Sequence, residues 1–346
     1  MMKAVTIRKF EGPEMVQVEE VAEPQISEDE VLLEVKAAAL NHLDIWVTKD
    51  RRGPELKIPH VLGADASGVV AAIGARVDNV SIGQEVLINP GLSCSRCEFC
   101  RQGQQSLCSS FGIMGFSRPG TFVQRVAVPA ANVYPKPAHL DFTAAAALPL
   151  DHLTAWRMLM ARGKLQSGQT ILIHGIGGGA ALAGLQFARL VGARIIATSS
   201  SDEKLSRAAE LGAAHLINYH TASDLTAEVL ALTGDRGVDL IFDSAGAATW
   251  GINEKVIRRG GTIVLCGVTT GAKTTVNLQR IYWNQLNVLG STMGSHEDFR
   301  SMLQAVSVNK IKPVIDTIFP LDQASSAFMR MEKGEQFGKI VLDMSK

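Results

Sequence analysis

Between residues 170 and 191 the chain reads TILIHGIGGGAALAGLQFARLV. A short apolar run, an abrupt cluster of glycines, and then apolar side chains at i, i+3 and i+4 describe a strand, a tight turn and a helix. Glycines at such a turn let backbone N–H groups and the positive end of the helix dipole hold a pyrophosphate. Read literally, Gly175, Gly177 and Ala180 fit the G-x-G-x-x-G/A pattern. Shifted by one, Gly178 and Ala181 take the second and third places and Ile176 replaces the first glycine, so the register stays open, with Gly179 inside either frame. A glycine loop that merely permits close packing is the competing reading, and the surrounding repeat of strands and helices weighs against it.

That repeat extends outward through ARIIATS (193–199), DEKLSRAAELG (202–212), HLIN (215–218), DLTAEVLALTG (224–234), VDLIFDSAG (238–246), NEKVIRRGG (253–261), TIVLCGV (262–268) and LNVLGST (286–292). Strands that run as unbroken Val/Ile/Leu are buried on both faces, as in a parallel sheet covered by helices, so this stretch is read as a doubly wound α/β domain. Where an acidic residue would bind the ribose 2′-hydroxyl of NAD(H), the chain has Ser199, followed by Ser200 and by Lys204. Hydroxyls and a cation suit a 2′-phosphate, so NADPH is favoured over NADH. Asp202 and Glu203 argue mildly the other way, although Ser201 with two acids in the next turn is better explained as a helix cap.

The first 140 residues differ. KAVTIRKF (3–10), MVQVEEV (15–21), EVLLEVKAAAL (30–40) and FVQRVAVP (122–129) alternate apolar and polar side chains between Gly and Pro, as in an irregular β barrel or sandwich. After Gly294 a helical pattern, HEDFRSMLQAVSVNKI (296–311), leads to the strand-like GKIVLDM (338–344), and this tail is expected to rejoin the first domain. The expected division is 1–151 with 296–346, and 152–295. A chain of 346 residues with 46% hydrophobic side chains supports two such cores. Thirty-four basic residues balance thirty-four acidic ones without a basic block, which disfavours nucleic acid as a partner. No apolar run approaches the ~20 residues of a membrane span and no signal-peptide core opens the chain, so a cytoplasmic protein acting on a small molecule is expected.

Four of the five cysteines fall at Cys94, Cys97, Cys100 and Cys108. That spacing can close a tetrahedral zinc shell on a lobe of about residues 91–110, with no open position for substrate, so the metal is structural. Cys266 stands apart on an apolar strand and is read as a small buried hydrophobe.

The combination resembles the medium-chain dehydrogenase/reductase superfamily over essentially the whole chain. The resemblance is carried by LNHLD (40–44), HVLGADASGVV (60–70), LP (148–149), LTAW (153–156) and LGST (289–292). It implies a β-rich catalytic domain of GroES-like type, a Rossmann cofactor domain, and a homodimer or homotetramer. It further implies that His42 meets the cofactor pyrophosphate, Thr154 the nicotinamide and Tyr219 the adenosine side. By the same resemblance Ala245, Gly246, Cys266, Gly267, Val268, Ser291 and Thr292 serve the nicotinamide ribose or carboxamide. Zinc alcohol dehydrogenases of this superfamily hold a catalytic metal with cysteine and histidine where this chain has Asn41, Ala64 beside Asp65, and approximately Leu150. With those soft ligands gone, the pattern looks most like the quinone oxidoreductase branch. The expectation is hydride transfer from NADPH to a quinone or α,β-unsaturated carbonyl, with one structural zinc and with Asn41 and Asp44 as the candidate catalytic residues. Two rival readings remain. One is an alcohol dehydrogenase with a degenerate metal site built from Asp44, Asp65, His42 and His152; the other is a non-catalytic cofactor-binding protein.

Overall fold

The computed structural model describes residues 1–49 and 57–344. It divides into two compact units, Met1–Asp151 with Gly294–Lys346, and His152–Met293. Among the described residues no helix is long and apolar enough to cross a membrane.

The second unit is built on six parallel strands whose order in the sheet is His215–Asn218, Arg194–Ser199, Thr170–Ile173, Val238–Asp243, Ile257–Leu265 and Asn287–Gly290. The central strands Thr170–Ile173 and Val238–Asp243 are buried at every position, because helices cover both faces. Local chemistry delimits those helices. Gly192 takes φ 81° and ends Gly179–Val191, Ser201 accepts the Lys204 N–H at the head of Asp202–Glu210, and Asp224 caps Leu225–Leu232. The fifth strand begins earlier than the apolar pattern TIVLCGV indicates. It opens at Ile257 and carries an irregularity, so that Val238 faces Ile257 while Leu240 already faces Thr262. Side-chain periodicity does not reveal a bulge, because the extra residues go unpaired.

In the first unit Glu30–Ala39 is the central strand. Its sequence EVLLEVKAAA alternates as the period of two requires, with Val31, Leu33 and Val35 turned into the core. It pairs antiparallel with Asp65–Ile73, Arg125–Pro129 and Lys339–Asp343, the last arriving from the far end of the chain. Phe122, Phe328, Leu62 and Ile340 help fill the core between these strands and the helix Ala324–Glu332. Each such side chain removed from water contributes roughly 1.5–3 kcal/mol.

Candidate functional site

All six strands of the second unit end at one edge, and the turn after Thr170–Ile173 lies there. Gly175 and Gly177 have φ of 64° and 131°, values at which a Cβ is strained, whereas Gly178 sits at −73°. The backbone therefore reserves for glycine the positions of the literal motif. A Cβ added at Gly175 would meet nothing within 4 Å, and one at Gly178 only a carbonyl at 3.9 Å, so the turn presents open backbone. Gly178 also heads the helix Gly179–Val191 without any side-chain cap, which leaves N–H groups of its first turn, including that of Ala180, to an anion.

The other cofactor candidates of this unit follow the remaining strand ends, Thr154 excepted. Ser199 closes Arg194–Ser199 with its side chain buried, Ser200 is exposed beside it, and Lys204 lies over the turn, 3.0 Å from where a Cβ of Gly177 would be. Tyr219 follows His215–Asn218 and is 44% exposed. After Val238–Asp243, the Asp243 carboxylate accepts the N–H groups of Ala245 and Gly246 at 2.7 and 3.1 Å. Cys266, Gly267 and Val268 follow Ile257–Leu265; a Cβ at Gly267 would come within 2.9 Å of the Ser244 carbonyl, so these two loops touch. Ser291 and Thr292 follow Asn287–Gly290, and the buried Ser291 hydroxyl has no hydrogen-bond partner. An orphaned hydroxyl, an uncapped helix and open glycine backbone along one strand edge fit a bound dinucleotide. Thr154 is buried within the helix Pro149–Trp156. His42 belongs to the other unit, where it heads the helix His42–Lys49 with its ring edge-on to Trp46 at 6.1 Å.

The sulfurs of Cys94, Cys97, Cys100 and Cys108 lie within 4.8 Å of one another, close to the ~3.8 Å separation that 2.3 Å Zn–S bonds impose. Backbone N–H groups of Cys94 and Ser110 point at the Cys108 sulfur, and that of Cys97 points at Cys94. The Cys100 N–H and others hold the Cys97 thiol down at about 6, while burial pushes Cys100 up to about 11. Four convergent thiols served by N–H donors fit a closed structural zinc.

The remaining cluster lies inside the first unit. Lys339 is 2% exposed, and its ammonium donates to Asn41 Oδ1 at 2.6 Å, Asp151 Oδ2 at 3.0 Å and Asp65 Oδ2 at 3.2 Å. Three N–H bonds meet three acceptors. Since Asn41 Oδ1 must accept from the ammonium, its Nδ2 faces Asp65 Oδ2 at 3.0 Å and the Ala39 carbonyl at 3.4 Å. Asp65 accepts a further bond from the Leu150 N–H at 2.9 Å. Burial disfavours charge on Lys339, but the carboxylates of Asp151 and Asp65 outweigh it and raise its pKa above the ordinary lysine value. Burial lifts Asp65 above the usual carboxylate range, and the ammonium offsets part of that. Asp44 is fully buried and pushed up to about 7 by desolvation; its carboxylate accepts the Asn41 N–H at 2.7 Å and so braces the turn into the helix His42–Lys49. Sequence reasoning singles out Asn41, Asp44 and Asp65 but misses Lys339 and Asp151. The one available signal is a lysine opening the strand KIVLD, which is otherwise apolar up to its last residue.

Family models for the alcohol dehydrogenase GroES-like domain and for zinc-binding dehydrogenases match residues 27–138 and 179–308. Over 99% of both chains the sequence is 31% identical to a zinc-type alcohol dehydrogenase-like protein of Schizosaccharomyces pombe, and it is 28% identical, again over 99% of each, to an NAD-dependent alcohol dehydrogenase of Saccharolobus solfataricus. A crystal structure of an NAD-dependent alcohol dehydrogenase matches with a TM-score of 0.95 and 42% identity, covering 99% of this chain and 100% of that one. The chain belongs to the zinc-type alcohol dehydrogenase-like family of the medium-chain dehydrogenase/reductase superfamily. It is thus an NAD(P)-dependent oxidoreductase with a GroES-like unit, a Rossmann unit and a four-cysteine structural zinc site. The quinone or enone reductase expectation is corrected by these full-length relatives, which are named as alcohol dehydrogenases or alcohol dehydrogenase-like. The absence of cysteine and histidine ligands does not by itself change the reaction; the structure sets the Lys339 ammonium against Asn41, Asp65 and Asp151. The family's catalytic zinc does not fit the residues as arranged. Asn41 Oδ1 and the Asp65 and Asp151 carboxylates are directed at an ammonium, and among the described residues the four cysteines form the one group of ligating side chains close enough to hold a metal.

Proposed function

We propose that the protein is an NAD(P)-dependent alcohol dehydrogenase that interconverts a small alcohol and its aldehyde or ketone. The observation that carries this reading is similarity to alcohol dehydrogenases and an alcohol dehydrogenase-like protein over 99% of the chain, supported by a glycine turn that presents open backbone at the strand edge. A nicotinamide coenzyme held at the turn 175–180 would supply the redox chemistry, as acceptor of the hydride from the carbinol carbon, with the hydroxyl proton released. The chain's own residues bind the pyrophosphate at the turn 175–180 and hold the loops 244–246 and 266–268 together. Inside the GroES-like unit they keep a closed ammonium–carboxylate–amide cluster.

NADP(H) is proposed as the preferred coenzyme, supported by Ser199 in place of an acid and by Lys204 over the glycine turn. Relatives named as NAD-dependent favour the second reading, NAD(H). A homo-oligomer is proposed on the exposed side chains of Leu278, Tyr282 and Trp283, in the helix that precedes the edge strand Asn287–Gly290 in the chain. The function is tested by following absorbance at the nicotinamide band with the purified protein, either coenzyme, and a panel of primary and secondary alcohols and carbonyls. Turnover with members of the panel is expected, and no turnover with either coenzyme would overturn the reading.

A further inference from the structure

Lys339 stands where side-chain patterning would place a hydrophobe. It opens the strand Lys339–Asp343, the rest of which is apolar up to its last residue, and it is 2% exposed. Strand register explains how so costly a residue is accommodated. Ala39 pairs with Val341 on one side and with Asp65 on the other, and Leu40 N–H donates to the Ile340 carbonyl. Lys339 and Asp65 therefore flank Asn41, just beyond the end of the central strand, while Asp151 adds the third acceptor. The Asp65 side chain is fully buried and that of Asp151 is 14% exposed, so Asp151 is the member of the cluster that reaches toward solvent.

We propose that Lys339 is the resident cation of the alcohol site and its positioning residue: the ammonium occupies the point on which Asn41, Asp65 and Asp151 converge, in place of the family's second metal. The proposal rests, for its activity measurements only, on the alcohol dehydrogenase reading. An ammonium with three N–H groups satisfies three oxygen acceptors, whereas a dication brought to the same oxygens would be repelled by the lysine. The same bonds orient the Asn41 amide and hold the Asp151 carboxylate. The unit is thereby preorganised with a fixed charge that needs no ligand exchange.

Two measurements on the full-length protein test this. Elemental analysis of wild-type protein, incubated with excess zinc and freed of loosely bound metal, is expected to return one zinc per chain. Two zincs overturn the proposal, and this count needs neither a variant nor turnover. In the second measurement Lys339→Ala lowers kcat about 100-fold, with the affinity for coenzyme retained. Propylammonium restores the rate saturably and propanamide does not. A wild-type kcat in the variant, or a loss that the amine does not restore, overturns the proposal; if the alanine variant fails to fold, the wild-type zinc count decides. If wild-type protein turns over no alcohol, the functional reading falls, and the zinc count still decides the place of Lys339.

Discussion

Ser199 ends its strand with a buried hydroxyl that accepts the Ser201 N–H at 3.2 Å, a geometry an aspartate can reproduce. Ser199→Asp is expected to add a ribose-diol acceptor and to repel a 2′-phosphate, moving the NADPH/NADH affinity ratio toward NADH by about tenfold or more. Fluorescence titration with both coenzymes measures this, and an unmoved ratio would place the ribose elsewhere. Asp239 works on stability instead. Its 5%-exposed carboxylate lies between the Arg236 and Arg258 guanidiniums, at 2.7 and 2.5 Å, and accepts the Thr170 N–H at 2.8 Å. Burial opposes its charge, but these donors win and hold it down at about 2. Because the folded value lies below the unfolded 3.8, the stabilisation is present above about pH 3.8 and is lost as pH falls through about 2. Arg236 is largely exposed, so screening keeps Asp239→Ala to a loss of about 2 kcal/mol, read as a lower urea midpoint at constant m.

At the scale of elements, the cysteine lobe has little regular structure to sustain it. It contains the four-residue helix Glu98–Arg101, the short turn Gln105–Leu107, and the two-residue strands Gly91–Leu92 and Gly112–Ile113. Such pieces are too short to persist alone, and the sulfur shell with its zinc supplies the missing cross-links. Cys97→Ser is expected to reduce zinc below one equivalent and to speed amide exchange throughout residues 91–113, with exchange in the strands of the Rossmann unit unchanged. Protection of the lobe at the wild-type level in metal-depleted variant protein would count against a structural role.

For the whole molecule, the sheet of the Rossmann unit ends at Asn287–Gly290, which pairs on one side with Ile257–Leu265. In the helix Leu278–Trp283 that precedes this edge strand in the chain, Leu278, Tyr282 and Trp283 are 72%, 64% and 65% exposed, apolar surface that an isolated chain would leave in water. In the proposed homo-oligomer, pairing of two such edges would cover this surface and satisfy the edge. Trp283→Arg combined with Val288→Lys should shift the sedimentation coefficient to that of a monomer with coenzyme binding retained, and a wild-type chain that already sediments as a monomer would refute the pairing.

The strand–glycine–helix segment at 170–191 and the cysteines at 94–108 were determined by the sequence alone, because each is complete within about twenty residues and its chemistry depends on local spacing. The α/β class followed for the same reason, through repetition of the strand and helix periods. The position of the cation could not be read in this way. Lys339 meets Asn41 across 298 residues and Asp65 across 274, and only the pairing of Lys339–Asp343 with Glu30–Ala39 brings them together. A lysine in an apolar strand is uninterpretable until its acceptors are known, because burial alone opposes its charge and two carboxylates reverse that sign. Spacing along the chain showed which ligands were missing near Asn41. What replaced them was decided by strand register, since a buried charge persists only where tertiary structure delivers its partners.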